Sequence, residues 1–217
     1  MYVQYRLNTP LPEQDIHPSV YSKTKRLIDI IGALVGLAIT ALIFPAIALL
    51  IYVDDPGSIF FRQIRCGVNG KTFRMWKFRS MVMDAEKIKH LVENKAHGHI
   101  FKNDQDPRIT SVGKFLRRTS LDEFPQFWNV LKGEMSLVGT RPPTLDEVAK
   151  YESHHYQRLR VKPGITGEWQ ANGRSDVEDF EEMVSMDIAY QRKWNRFYDL
   201  RLIGKTVWVV LRQRGAS

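Results

Sequence analysis

Residues 30–53 read IIGALVGLAITALIFPAIALLIYV, a run of 24 residues without one charge. As a helix, such a run covers a hydrocarbon core of about 30 Å. A cleaved signal peptide does not fit, because the run starts late, is long and lacks a small-residue cleavage site. A buried core helix is the alternative, but core helices of this length are seldom so uniformly apolar. The run is therefore read as a membrane helix. Pro45 follows 15 uncharged residues, removes one backbone donor and predicts a kink. Both flanks are basic. Lys23, Lys25 and Arg26 precede the run; Arg62, Arg65, Lys71, Arg74, Lys77 and Arg79 follow it with no acid between 62 and 79. Lys and Arg beside a membrane segment prefer the cytoplasmic side. Two basic flanks favour a re-entrant helix that enters one leaflet, breaks at Pro45 and returns, with a simple crossing as the second reading. Thr40 or a neighbouring helix would satisfy the freed carbonyls.

The rest of the chain frames this helix. Its 217 residues suffice for one domain with a core. Lys and Arg number 32 against 24 Asp and Glu, giving +8 and a pI near 9.6. That excess suits an anionic partner: a phosphate-rich ligand, nucleic acid or an acidic membrane surface. Cys66 is the sole cysteine, so no intrachain disulfide forms and a reducing compartment fits. Residues 1–21, with Pro10, Pro12 and Pro18, read as an irregular arm, and 22–217 as one domain: a membrane helix over 22–54 and a cytosolic part over 55–217.

Pattern predicts an α+β, mostly helical body. Turn signals at Pro56-Gly57 and Asn69-Gly70 predict a short hairpin within 54–81. Met83 to about Lys95 reads as helix, with Ile88, Leu91 and Val92 on one face, and 102–113 as loop. Phe124, Phe127, Trp128 and Leu131 follow i, i+3, i+4, i+7, and Gly133 stops that helix. Thr144 and Glu147 form a capping box opening a helix toward Leu159. Residues 161–174 read as a glycine-rich loop. Asp176 to Trp194 reads as helix, with Asp187 an acid on the otherwise apolar stripe of Phe180, Met183, Val184 and Ile188. A last helix carries Leu200, Ile203, Val207 and Leu211 apart from Arg201, Lys205 and Arg212, which fits either an interfacial helix or core packing.

The chemistry concentrates in TSLDEFPQ, residues 119–126. Ser120 and Glu123 match an ordinary S-x-x-E capping box. Pro125 suits only a first helical turn, so the helix starts near Asp122 and the Asp122/Glu123 dyad sits at its positive end. An ionised carboxylate is a nucleophile and a ligand for a hard cation such as Mg²⁺. Arg117 and Arg118 precede the dyad, and Arg141 follows in SLVGTRPP; arginine forks match phosphate oxygens. Together they point to phosphoryl transfer. His154-His155 is set aside as a metal site because adjacent helical residues do not share a face. Zinc-spaced cysteines, nucleotide-binding glycine motifs and a serine-nucleophile motif are missing from the sequence. The aromatics fall mostly on apolar stripes, which argues against a nucleic-acid partner.

From about Ser22 to Ala216 the sequence resembles the bacterial sugar transferases, or monotopic phosphoglycosyl transferases. The resemblance rests on KRLIDIIGALVGL, DDPGSIFFRQIRCGVNGKTFRMWKFRSM, DPRITSVGKFLRRTSLDEFPQFWNVLKGEMSLVGTRPP, VKPGITGEWQANGR and WNRFYDLRLIGKTVWVVLRQRGAS, in that order. It implies transfer of a sugar-1-phosphate from a UDP-sugar to polyprenyl (undecaprenyl) phosphate with release of UMP. It implies Mg²⁺, an aspartyl-phosphosugar intermediate and a re-entrant helix on the cytoplasmic face of a bacterial inner membrane. Such a reaction opens exopolysaccharide, capsule or O-antigen synthesis. Asp122 would be the nucleophile and Glu123 its metal-binding or orienting partner. Arg117 and Arg141 would bind phosphate. Asp187 and Asp199 match further acids of the pattern, and Asn172 and Arg174 lie in a motif loop. Phe44-Pro45 departs from the Ser-Pro of many relatives, and Glu168 replaces an apolar residue. Many members with this ending carry extra N-terminal membrane helices, so the chain reads as a short natural form or an excised domain. A hexose is the expected donor sugar, and a homodimer is compatible. A membrane-bound metal-dependent phosphohydrolase and a non-catalytic adaptor on anionic lipid are the alternatives.

Overall fold

The computed structural model describes residues 15–94, 98, 101, 103, 105–172, 177 and 179–212, with Leu211 described by its backbone alone. The chain is mostly helical with two small sheets. α1 spans Lys23–Asp54, and Ser22 caps it by accepting the Lys25 N–H. Helical geometry continues through Pro45 to Asp54. Thr40 donates its hydroxyl to the Gly36 carbonyl, whereas the carbonyl that Pro45 frees belongs to Ala41. One stripe of α1 faces the protein over its whole length: Lys25, Asp29, Ala33, Gly36, Ile47 and Ile51 are buried. The other faces stay open, and only 22% of its most apolar window is buried. Within this chain α1 thus lacks the cover of a core helix.

β1 (Phe60–Cys66) and β2 (Thr72–Phe78) form the expected antiparallel hairpin. Asn69 and Gly70 turn it with φ of 49° and 70°, the left-handed region these residues tolerate. α2 (Ser111–Arg118) and α3 (Gln126–Lys132) follow. Asn129 of α3 is fully buried and caps the open edge of β2: its Oδ1 accepts the Trp76 N–H at 3.1 Å and its Nδ2 donates to the Arg74 carbonyl at 2.7 Å. β3 (Ser136–Val138) pairs in parallel with β4 (Gly164–Thr166). Their approach demands glycine, since a Cβ on Gly139 would lie 2.1 Å from the Lys162 carbonyl oxygen. α4 (Leu145–Val148), α5 (Glu168–Asn172), α6 (Phe180–Lys193) and α7 (Arg196–Leu211) complete the described chain.

Both ends of α1 are tied to this one body. At its start, Lys25 Nζ lies 2.6 Å from Asp199 Oδ2 and 2.9 Å from the Val138 carbonyl, while Asp29 accepts the Ser136 hydroxyl and the Leu137 N–H. At its end, Asp54 accepts the Val112 N–H at 2.8 Å and Asp55 accepts from Arg79 at 2.8 Å. Between them, Gly32 and Gly36 bring the backbone against Leu137 and Phe127.

Several expectations are corrected. Residues 83–94 form turns with one 3-10 segment, Lys89–Leu91; Leu91 is 73% exposed and Ile88 40%, so little of the proposed apolar face is covered by the described residues. The loop at 102–113 ends at Thr110, which caps α2. The Thr144–Glu147 capping box is present, but α4 has four residues, and a 3-10 segment at His155–Arg160 replaces the long helix. The glycine-rich stretch contains β4 and α5. Residues 15–21 of the supposed arm fold onto the body: His17 donates its backbone N–H to the Arg160 carbonyl, and Ser19 is buried. On α7 no correction is needed: Leu200 and Val207 are exposed, which is compatible with the interfacial alternative, while Leu202 packs inward.

Candidate active site

Asp122 and Glu123 occupy a 3-10 turn, Leu121–Glu123, between α2 and α3. Ser120 enters it with φ of 56° and makes no side-chain cap, so the expected capping box is not formed. α3 begins at Gln126 with Pro125 at its N-cap position, later than the spacing predicts. A lysine from the hairpin also meets the dyad. Lys77 of β2 places Nζ 2.9 Å from Glu123 Oε1 and 3.5 Å from Asp122 Oδ2. Asp122 is only 4% exposed, beneath the partly exposed Lys77 and Glu123. Lys77 follows Phe73 and Met75 at two-residue spacing, both buried, so it is a cation where strand alternation wants an apolar group. That pattern is the signal through which it was findable.

The second cationic group forms where β1 meets the RPPT segment. Cys66 donates its N–H to the Pro143 carbonyl, Arg65 bridges to Thr144, and Arg65 Nη1 donates to the Pro142 carbonyl at 2.8 Å. Arg141 is held by Glu147 through contacts of 3.0 and 3.2 Å. Burial favours the neutral acid at Glu147, but the Arg141 and Arg65 charges and the hydrogen bonds from Arg141 and Thr144 outweigh it and hold the carboxyl below its ordinary range. Burial and then the Arg141 charge lower Arg65 to about 10, while Glu147, Glu86 and Glu123 pull the other way. Arg65 thus links electrostatically to both Glu123 and the Arg141–Glu147 pair. Neither Arg65 nor Glu147 was assigned a site role from the sequence.

Each of the other predicted residues has its own partners in the fold. Arg117 donates Nε to Ser80 Oγ at 3.2 Å, which places it at the end of the hairpin. Asp187 is fully buried and paired with the equally buried Arg158 at 2.8 Å; Arg158 Nη1 also donates to the Tyr151 hydroxyl at 2.7 Å. Burial lifts the Asp187 carboxyl above its ordinary range against the pull of Arg158. Asp199 joins Lys25, Tyr190 and the Trp194 indole N–H, so it fastens α1 to α7. Asn172 Oδ1 accepts from Lys205, linking α5 and α7 at the surface. Arg174 lies outside the described residues.

The adjacent histidines do converge, contrary to the helical reading. They sit at the start of the 3-10 segment His155–Arg160, their ring centroids are 3.9 Å apart, and both contact Glu181. Among the described residues these three bring their ligand atoms within 4.8 Å of one another. His155 Nδ1, however, accepts the Glu152 N–H at 2.8 Å, which assigns the ring proton to Nε2 facing Glu181. That nitrogen is a donor and not a free metal ligand.

The comparisons agree with the motif pattern. The family model described as "Bacterial sugar transferase" matches residues 20–213. The galactosyl transferase CpsE of Streptococcus agalactiae is 52% identical over 196 residues, which is 89% of this chain and 43% of that protein. An undecaprenyl-phosphate galactose phosphotransferase of Salmonella typhimurium is 42% identical over 88% of this chain and 41% of its own. The exopolysaccharide production protein ExoY of Rhizobium meliloti is 38% identical over 88% of this chain and 87% of its own. The chain thus spans less than half the length of the first two and most of the third. With the family model matched across nearly its whole length, the chain belongs to the bacterial sugar transferase family.

Proposed function

We propose that the protein transfers a hexose-1-phosphate from a UDP-sugar to polyprenyl phosphate, releasing UMP, as the first membrane step of a surface glycan. The observation that carries this reading is the Lys77 ammonium lying across both carboxylates of a dyad whose Asp122 is buried. On substrate binding, Lys77 passes from the carboxylates to a β-phosphate oxygen and uncovers Asp122. An Asp122 oxygen then attacks the β-phosphorus, the bond to the bridging oxygen breaks, and UMP leaves with that electron pair. A polyprenyl phosphate oxygen next attacks the same phosphorus, forms the diphosphate and returns the Asp122 carboxylate. Arg141, Arg65 and Arg117 supply cationic donors to the phosphates. Mg²⁺ fits the dyad by donor chemistry: two adjacent carboxylates offer hard oxygens, and Lys77 marks where they hold a cation. When bound, it would neutralise diphosphate charge.

The membrane setting has its own support. Because both ends of α1 bond to one body, a hydrocarbon core of about 30 Å between them is hard to accommodate. A re-entrant helix, its open apolar faces in one leaflet, keeps both ends on the cytoplasmic side. Trp128, Phe115 and Trp208, all substantially exposed, would meet the interface. The relatives named for galactose transfer make UDP-galactose the first donor to try, with UDP-glucose beside it.

The test is a single-turnover quench with each radiolabelled UDP-sugar. Label should remain on the protein, be discharged by undecaprenyl phosphate, and be missing from Asp122→Asn. Sustained UMP release without the lipid acceptor would instead identify a phosphohydrolase, and full activity in Asp122→Asn would overturn the nucleophile.

A further inference from the structure

Beside the start of α1, remote from the dyad, lies an open cavity of about 410 Å³. Its lining includes Lys23, Arg26 and Lys162 together with Tyr21, Leu27 and Ile30. Arg26 is fixed: its guanidinium donates to the Val130 and Leu131 carbonyls, at 2.7 Å each, across the end of α3. Lys162 comes to the same place from β4's side. A Cβ built on Gly133 would stand 3.6 Å from Arg26 Cζ and 3.7 Å from Lys162 Nζ. Two cations thus converge on one point, and among the described residues no carboxylate forms an ion pair with Lys162. Burial and then the Arg26 charge lower the Lys162 amine, with Lys25 adding to them and Asp29 opposing; a neighbouring anion would relieve this. Lys23 at the rim is exposed. The apolar wall is open as well: Tyr21 is 68% exposed and Leu27 57%.

We propose that this cavity holds the phosphate of one anionic phospholipid, with an acyl chain laid along Leu27 and Ile30. Three cations at the level where the apolar run begins match a headgroup at the interface. Exposed apolar side chains directly beside them match the top of a chain, which a soluble anion would leave bare. The site is distinct from that of the reacting carrier. Leu121 and Phe124 flank the dyad and pack against the core cluster that includes Ile47 and Ile51, and the helical rise puts Ile47 about 30 Å along α1 from Arg26. The bound lipid would therefore fix the entrance of α1 and the end of α3, not react. This inference rests on α1 lying in lipid.

The full chain, in detergent, would be exposed to dioleoyl phosphatidylglycerol or dioleoyl phosphatidylcholine and read by native mass spectrometry. Flotation with vesicles would be measured in parallel. The expected result is a retained phosphatidylglycerol adduct exceeding the phosphatidylcholine adduct. Lys162→Gln and Lys23→Gln should each reduce it about fivefold, whereas Lys150→Gln on the exposed surface should leave it unchanged. Equal adducts of the two lipids, or insensitivity to both cavity variants, would overturn the site. So would displacement by inorganic phosphate alone, which would make it a soluble-anion site. Loss of flotation in the unaltered chain would refute the membrane reading itself and is read separately.

Discussion

Lys77 is the residue on which the proposed chemistry turns, because the ammonium contacts both carboxylates. Lys77→Gln should lower kcat/KM by roughly 10²-fold, the scale of losing one charge-stabilising donor, with Lys77→Arg recovering part of it. Unchanged kinetics in a UMP-release assay would remove Lys77 from the site. Glu147 makes a different, thermodynamic prediction. Its folded pKa lies below the ordinary 4.5, so its ionised form stabilises the fold above that value, and the contribution disappears as pH falls through the folded value. Between about pH 5 and pH 3 the unaltered protein should lose more stability than Glu147→Gln, read as thermal midpoints in detergent. Parallel pH profiles would refute this. Only the strand alternation around Lys77 hinted at its role, and nothing in the local sequence gave Glu147 its own. Lys77 looked like one more basic flank, and Glu147 like a helix cap, which it also is.

Among the elements, α1 and α3 set the site's position. Phe127 seats against Gly36, where a Cβ would lie 2.4 Å from the ring. Gly36→Leu should therefore force the helices apart and destabilise the protein by about 1–3 kcal/mol, seen as a lower thermal midpoint and loss of transfer activity. An unchanged midpoint would mean that the contact is dispensable. The α3 sequence misled in one respect. Its apolar periodicity nominated Trp128 for the core, yet Trp128 is 48% exposed while the polar Asn129 is fully buried. The backbone edge of β2 needs a hydrogen-bonding partner, and Asn129 supplies both a donor and an acceptor. Periodicity measures apolar spacing and is blind to such an edge. In residues 83–94 the reverse occurred: a helical pattern was present, but the described residues leave Ile88 and Leu91 exposed.

At the level of the whole molecule, the fastening of α1 at both ends makes topology measurable. Burial pushes the Cys66 thiol up to about 11, with Glu147 adding to it, so this cysteine is nearly silent toward maleimides at neutral pH. Single cysteines at Thr24→Cys and Ser58→Cys, both exposed positions, then report the two ends of α1. Both should label from the cytoplasmic face of membrane vesicles; labelling from opposite faces would establish a crossing helix. By itself the sequence determined the apolar run, the hairpin turn at Asn69-Gly70, the Thr144–Glu147 cap and the acid dyad, because each depends on residues close in the chain. Only the tertiary structure decided that Lys77 covers the dyad, that Glu147 holds Arg141, and that Asp187 and Asp199 serve buried junctions. Those partners lie far apart in sequence, and charge pairing across a packed interior follows from which surfaces meet, which no local spacing encodes.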